Sequence, residues 1–146
     1  MGDAMPHRSV NVLTLGVRDL SLSSEFYRAI GFVLSSRSDE HITWFITGGT
    51  VLALYPWDML ADDAQISAEG QGFRGTATAI NLASEMEVDE FSILVRKSGG
   101  KMVKEPQKVF WGGYHFYFQD PDGHLWEVAY NPYTPLDDKG RLMVDD

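Results

Sequence analysis

The sequence of 146 residues has no cysteine, few basic residues and no long apolar run. Without cysteine the chain has no disulfide, no thiol nucleophile and no thiolate metal site. The formal net charge of −9 argues against a nucleic-acid partner, because no basic patch is available to neutralise phosphates. No run approaches the roughly 18 apolar residues of a membrane span, and the polar start lacks a secretory signal's apolar segment. We therefore expect a cytoplasmic protein that binds neither nucleic acid nor membrane.

The most informative stretch is 111–130, which reads WGGYHFYFQDPDGHLWEVAY. Residues 114–119 are rich in aromatic side chains and predict a strand. The Asp-Pro-Asp-Gly sequence at 120–123 has the residues of a tight turn, and residues 125–130 predict a returning strand. The hairpin carries one acid, Glu127, inside an otherwise apolar strand. Because a buried carboxylate must be paired, protonated or bound to a metal, Glu127 is the first candidate for a functional residue.

The rest of the chain predicts the order βαβββ twice. The predicted elements of the first half are strand 10–17, a helix capped by Asp19 and ended by Gly31, and strands 33–38, 42–47 and 50–55. Those of the second half are strand 76–83, a helix capped by Ser84 and Glu87, strand 101–107 and the 111–130 hairpin. The two halves repeat, since FITGGTVLALYP can be aligned with FQDPDGHLWEVAYNP, which places Ala53 opposite Glu127.

We expect one domain over 10–132, built from a first module at 10–56 and a second module at 76–132. The connection at 57–75 contains a possible helical turn at 58–64 and the glycine-rich GQGFRG. Its glycines lack the spacing and the strand-to-helix context of a phosphate loop, so we interpret it as a flexible connection. The residues at 133–146 form a polar C-terminal tail.

Two stretches resemble the vicinal oxygen chelate superfamily, which includes glyoxalase, bleomycin-resistance and extradiol dioxygenase-like proteins. One is the hairpin with Asp-Pro-Asp-Gly-His and a central Glu, and the other is LTLGVRDLSLSSEFYRAIGF at 13–32. The resemblance implies an α+β fold in which tandem βαβββ modules form a curved mixed sheet around a cavity. The internal repeat supports the same fold independently.

The resemblance also implies where a metal would be held. Metal-using members take His, Gln or Glu ligands from the first and fourth strands of each module. Glu127 matches one such position, whereas Val12, Ala53 and Ala77 stand at the others. One carboxylate cannot hold Zn²⁺ or a similar ion, because catalytic sites need about three protein ligands. We predict no metal cofactor, with a divalent ion (Zn, Ni, Mn or Fe) bound through Glu127 as the alternative.

The roles of the histidines and of Glu127 are less constrained. For His7, His41, His115 and His124 a structural role is favoured over ligation. Glu127 is either a ligand anchor or general base in an apolar cavity, or a structural acceptor. Its available donors as a structural acceptor are Tyr55, Asn81, Tyr114 and Tyr117.

Aromatic residues on or beside the predicted strands suggest an apolar pocket with a few polar groups. The predicted ligand-binding residues are Trp44, Tyr55, Asn81, Trp111, Tyr114 and Phe116. We expect bleomycin-resistance-like binding of a small, partly aromatic or cationic molecule, because one buried acid among aromatic rings suits a cation. The alternative is a metal-dependent glyoxalase-type lyase or isomerase, or a dioxygenase, with Glu127 as ligand or base. The resemblance also implies a homodimer.

Overall fold

The computed structural model describes residues 8–144, so His7 lies outside the described part of the chain. The elements follow the predicted order, and the possible helical turn between the modules is formed as a helix. They are β1 Val12–Val17, α1 Leu20–Ala29, β2 Val33–Leu34, β3 Thr43–Ile46, β4 Val51–Pro56, α2 Trp57–Ala64, β5 Thr78–Asn81, α3 Glu85–Lys97, β6 Lys101–Lys108, β7 Tyr114–Gln119 and β8 Leu125–Tyr130. None of the helices in the described range is long and apolar enough to cross a membrane.

The strands form two four-stranded mixed sheets with the same internal order. The first sheet runs β1-β4-β3-β2 and the second β5-β8-β7-β6. In each sheet the first and last strands of the module pair in parallel, and the remaining pairs are antiparallel. The α+β class and the tandem βαβββ repeat are therefore confirmed. Ala53 and Glu127 occupy the same position, the third residue of the last strand in their modules.

Local sequence signals account for the helix ends. The Asp19 carboxylate accepts a hydrogen bond from the backbone N–H of Leu22 at 3.0 Å, and Ser84 Oγ accepts one from the N–H of Glu87 at 3.1 Å. Both are N-caps that satisfy donors left free in the first turn. Gly31 follows α1 with φ of 106°, a conformation that favours glycine. The possible turn at 58–64 is a helix that begins one residue earlier, at Trp57.

The core joins both modules through the faces of the sheets that contact α1 and α3. Its buried side chains come from α1, α3 and the strands of both sheets, among them Leu15, Leu54, Phe116, Trp126 and Val128. Side chains alternate between faces along a strand, so Ala53 and Glu127 point away from this common core. Leu52 and Leu54 of β4 and Trp126 and Val128 of β8 therefore face the helices, and the residues between them face the other way.

The Asp-Pro-Asp-Gly-His turn fastens the second module to the first. Asp122 accepts hydrogen bonds from the backbone N–H of Arg18 at 2.9 Å and from Ser23 Oγ at 2.8 Å. The buried Tyr27 hydroxyl donates to Asp120 Oδ2 at 2.6 Å. Because this turn also sets the pairing of β7 with β8, the same contacts fix the position of Glu127 relative to the first module.

Two peripheral segments differ from the sequence prediction. The predicted strand 33–38 is reduced to Val33–Leu34, because Ser38 folds back and its hydroxyl contacts both the backbone N–H and the carbonyl of Trp44. The C-terminal tail contains an ordered turn in which Asp137 Oδ2 accepts from Arg141 Nε at 2.7 Å. The Arg141 side chain lies against Gly48, so the tail covers the hairpin between β3 and β4.

Candidate functional site

Glu127 lies in the middle of the second sheet, on the face turned away from the core. Its register partners are Tyr117 in β7 and Ala79 in β5, and residues that pair across strands share a face. The side chain is 24 % exposed, so the carboxylate is sheltered but reachable from solvent. A carboxylate on an open sheet face can meet a ligand, which a carboxylate in the core could not.

Glu127 is the first member of a chain of three side chains. Its Oε2 lies 2.6 Å from Nδ1 of His115, and Nε2 of His115 lies 2.9 Å from Nζ of Lys104. An ionised carboxylate can only accept, so we assign the ring proton to Nδ1. Nε2 then has a lone pair that accepts from the Lys104 ammonium. The three groups thus satisfy one another as Glu⁻, neutral His and Lys⁺.

Lys104 reaches this face because β6 is irregular. A regular antiparallel ladder continued from the Met102–Phe118 pair would place Lys104 opposite Phe116, which faces the core. A register shift after Met102 instead pairs Lys104 with Tyr117, on the face of Glu127. One inserted residue turns the following side chain to the other side of the sheet. A second register shift follows Lys104, so the irregularity is confined to the part of β6 that contains Lys104.

Aromatic rings flank this chain. The Tyr117 ring lies 5.2 Å from the His115 ring, edge to face, and the Trp111 ring lies 6.4 Å away on a loop. Burial, and secondarily the charge of Glu127, raises the pKa of the Tyr117 hydroxyl. Asn81 shares the face through its pairing with Ala129. The site thus combines two full charges, one imidazole and two aromatic side chains.

Four of the predicted ligand-binding residues lie elsewhere. Phe116 is fully buried in the core, because it pairs with Val128 on the helix side of the sheet. Tyr114 lies on the same side and its hydroxyl donates to Asp89 of α3 at 2.6 Å, which raises the pKa of Tyr114 to about 12. Trp44 and Tyr55 lie on the corresponding outward face of the first sheet, in the other module. The structure therefore corrects the prediction for Phe116 and Tyr114.

Two members of the chain, His115 and Lys104, were not among the predicted site residues. We expected tyrosines or Asn81 to donate to Glu127, and His115 does so instead. A signal for His115 was present: a hairpin closed at 120–124 pairs Tyr117 with Glu127, which puts His115 on the same face. Lys104 had no such signal, because its orientation depends on the register shift in β6.

The residues present do not fit a divalent metal. Both nitrogens of His115 are engaged, and the group on Nε2 is an ammonium that would repel a metal cation. Val12, Ala53 and Ala77 offer no donor atom, as the sequence predicts. Among residues 8–144, no three histidine or acidic side chains lie together as a metal site would require. The chemistry of this donor set is that of hydrogen bonding and proton exchange.

His124 and the connection between the modules form a separate cluster. His124 Nε2 lies 2.7 Å from the carbonyl oxygen of Gly16, and its ring stacks on Trp57. The Arg18 guanidinium lies 4.0 Å above the same indole. These contacts hold His124 between the modules, where it is half-buried.

An apolar groove of about 500 Å³ opens at the seam between the two modules. Leu13 and Leu52 line it from the first sheet, and Ala79 and Ile80 from the second. Leu13, Leu52 and Ile80 lie on the helix side of their strands, so the groove opens on that side and not on the face that carries Glu127.

Comparisons with known proteins agree with this architecture. The sequence profile of the Glyoxalase/Bleomycin resistance protein/Dioxygenase superfamily matches residues 9–128. The chain is 28 % identical over 120 residues to "Metallothiol transferase FosB" of Shouchella clausii, covering 82 % of this chain and 77 % of that protein.

Solved structures give the same result. A glyoxalase-related enzyme from Fulvimarina pelagi superposes with a TM-score of 0.85 at 29 % identity, covering 96 % of this chain and all of that one. A glyoxalase/bleomycin resistance protein/dioxygenase from Nocardioides has a TM-score of 0.69 at 28 % identity, with 87 % and 85 % of the two chains covered. The chain therefore belongs to the glyoxalase/bleomycin resistance protein/dioxygenase superfamily.

Proposed function

We propose that the protein binds a small, partly aromatic molecule on the outward face of its second sheet, around Glu127, without a divalent metal. The observation that carries the proposal is the Glu127–His115–Lys104 chain, a polar group set between aromatic rings on a face that solvent can reach. Small-molecule sites typically combine an apolar wall with a few convergent polar groups. Tyr117 and Trp111 supply the apolar part.

This arrangement does not support the expectation that the ligand is a cation. That expectation depended on a single uncompensated acid among aromatic rings. Glu127 instead accepts a hydrogen bond from His115 in a chain that ends in the Lys104 ammonium, so the three groups are together neutral. The binding site we propose has a positive end and a negative end, separated by the width of an imidazole ring.

A catalytic role is the second candidate, and the short contact between Glu127 and His115 favours it. A carboxylate bonded to Nδ1 orients an imidazole and stabilises its protonated form, which is how a general base is prepared. In this alternative the protein is a lyase or isomerase that removes a proton through His115 Nε2 once Lys104 moves away from it. A solved structure named lactoylglutathione lyase, from Agrobacterium tumefaciens, shares the fold at 20 % identity and a TM-score of 0.66.

The site is completed, in our proposal, by a second copy of the chain. The outward face of the first sheet carries exposed apolar side chains, including Val12 and Ile46 at 43 % and 57 % exposure. That apolar face would cover the polar face of the partner's second sheet.

Sedimentation velocity at micromolar concentration tests the dimer. We expect a dimer for the natural protein and a monomer for Ile46→Glu, since a charge in a desolvated interface is costly. Ile93→Glu is the matched control, because Ile93 is similarly exposed, at 66 % against 57 % for Ile46, but lies on α3. A stable natural monomer, or equal effects of the two substitutions, would contradict this arrangement.

Ligand binding is tested with small aromatic probes and the ring signals of the four histidines in NMR spectra. We expect at least one of benzamide, benzoate and benzamidine to shift the His115 signals, assigned by their loss in His115→Gln. Trp111→Ala should weaken that response, whereas Phe110→Ala should not, because the Trp111 ring lies 6.4 Å from the His115 ring and Phe110 is fully exposed. Absence of a His115 response to all three probes would refute the proposed site.

A further inference from the structure

We propose that Lys104 is the anion-binding group of this site, and that the ligand carries a carboxylate which the Lys104 ammonium receives. This inference rests on the proposed function, since it concerns the same face of the second sheet. It adds the chemical class of the ligand: an aromatic or partly apolar organic acid. The Lys104 ammonium then supplies the positive charge that a divalent ion would otherwise supply.

The hydrogen-bonding capacity of Lys104 is the first reason. An ammonium has three N–H donors, and His115 Nε2 accepts one of them at 2.9 Å. Because the acceptor is a neutral ring nitrogen, the contact positions the ammonium without cancelling its charge. The other two donors can still point to a bound carboxylate, which has two oxygens to receive them.

The charges around Lys104 are the second reason. Within the described part of the chain, no acidic side chain lies within 4.0 Å of its ammonium. By contrast, Lys108 on the same strand pairs with Glu85 at 3.2 Å, and the neighbouring Glu105 pairs with Arg96 at 2.6 Å. Glu127 reaches Lys104 through the His115 ring and not directly. Lys104 thus keeps its charge available on a half-buried face.

The backbone of β6 is the third reason. Register shifts on both sides of Lys104 interrupt the ladder, and the first of them turns this side chain from the core face to the face of Glu127. Two irregularities within one strand reduce the regular pairing of the sheet. Bulges of this kind occur beside binding sites, where they redirect a side chain.

A set of three isosteric probes tests the sign of the ligand charge. Benzoate, benzamide and benzamidine have nearly the same size and shape but carry a negative, no and a positive charge. We expect benzoate to shift the His115 ring signals at lower concentration than the other two. In Lys104→Met, which keeps an unbranched apolar side chain and removes the ammonium, benzoate affinity should fall by about tenfold to a hundredfold, the worth of a charge-assisted hydrogen bond. Benzamide affinity should change little.

Lys101→Met is the matched control. Lys101 lies on the same strand and pairs with Gln119, so it removes one positive charge from the same region without contacting His115. We expect it to leave benzoate binding within about twofold of the natural protein, because a screened charge at this distance contributes little. An equal loss in both variants would show general electrostatic attraction and overturn the assignment to Lys104.

The remaining outcomes separate the two proposals. A response to benzamide or benzamidine that exceeds that to benzoate would overturn the anion assignment and leave the proposed function standing. Benzoate binding that survives Lys104→Met would do the same. Stoichiometric binding of Zn²⁺ or Mn²⁺ by His115, measured from the same ring signals, would overturn the role of Lys104 as the positive charge of the site. If none of the three aromatic probes shifts the His115 ring signals, both proposals are refuted.

Discussion

Replacement of Tyr27 by phenylalanine tests how the two modules are held together. The Tyr27 hydroxyl is buried between them, donates to Asp120 Oδ2 at 2.6 Å and accepts from Trp126 Nε1 at 3.0 Å. Asp120 Oδ1 is already used by the backbone N–H groups of Asp122 and His124. Phenylalanine therefore leaves Oδ2 without its donor and the indole N–H without its acceptor, while the volume of the ring stays the same.

The expected loss can be estimated from the two contacts. A hydrogen bond to a charged acceptor contributes about 1.5–3 kcal/mol, and a buried N–H without an acceptor costs about 1 kcal/mol or more. Together they predict that Tyr27→Phe lowers the free energy of unfolding by about 3 kcal/mol. For a chain of this size that corresponds to a fall of roughly 6–12 °C in melting temperature.

Urea denaturation of Tyr27→Phe and of Tyr133→Phe checks this estimate. Tyr133 is 76 % exposed, so its substitution should leave stability within about 0.5 kcal/mol of the natural protein. Adding Asp120→Asn gives a double-mutant cycle, in which the two losses should not add because the residues share one hydrogen bond. A loss below about 1 kcal/mol for Tyr27→Phe, or additive losses, would refute the interpretation that this contact fastens the second module to the first.

Two further predictions concern charge. Glu127→Gln should change the free energy of unfolding by less than about 1 kcal/mol, since the amide oxygen can still accept from His115 and the side chain is 24 % exposed. Thermal denaturation checks this, and a loss of about 2 kcal/mol would show that Glu127 is a structural acceptor. Burial and the Asp120 charge raise the pKa of Tyr27 well above its usual value of 10.0, so the folded protein keeps this proton longer than the unfolded chain. Stability should therefore be retained below about pH 10 and decline above it, less steeply in Tyr27→Phe, and an identical decline in both proteins would contradict this assignment.

Much of the architecture follows from local sequence signals. The capping residues Asp19 and Ser84 and the turn at 120–123 lie where they were predicted, and the last two strands have the predicted bounds. The turn also determines the pairing of Tyr117 with Glu127, and period-two alternation then sorts β8 into a core face and an outward face. These features depend on residues that are neighbours in the chain, so the sequence contains them.

The composition of the site depends on strand register, which local sequence signals do not determine. Phe116 and Tyr114 were predicted to face a ligand because they are aromatic, yet their parity in β7 turns them to the core and to α3. Lys104 lies in a strand with a proline two residues later, which signals irregularity but not the residue at which the register shifts. A shift of one residue decides which face a side chain occupies, and its energy is distributed over the contacts of β6 with β7 and α3.

The two halves of the chain explain why a metal-poor site is consistent with this fold. At equivalent positions the first sheet presents Ala53 and the second Glu127, so the repeat has kept the geometry while the chemistry of its two faces has diverged. The first face exposes apolar side chains, and the second carries the charged chain. In a symmetric dimer each polar face would meet the partner's apolar face, which removes water from Lys104 and Glu127 on one side. Lower water content strengthens charge-assisted hydrogen bonds, so a cavity of this composition can hold an organic acid with an ammonium in place of a metal.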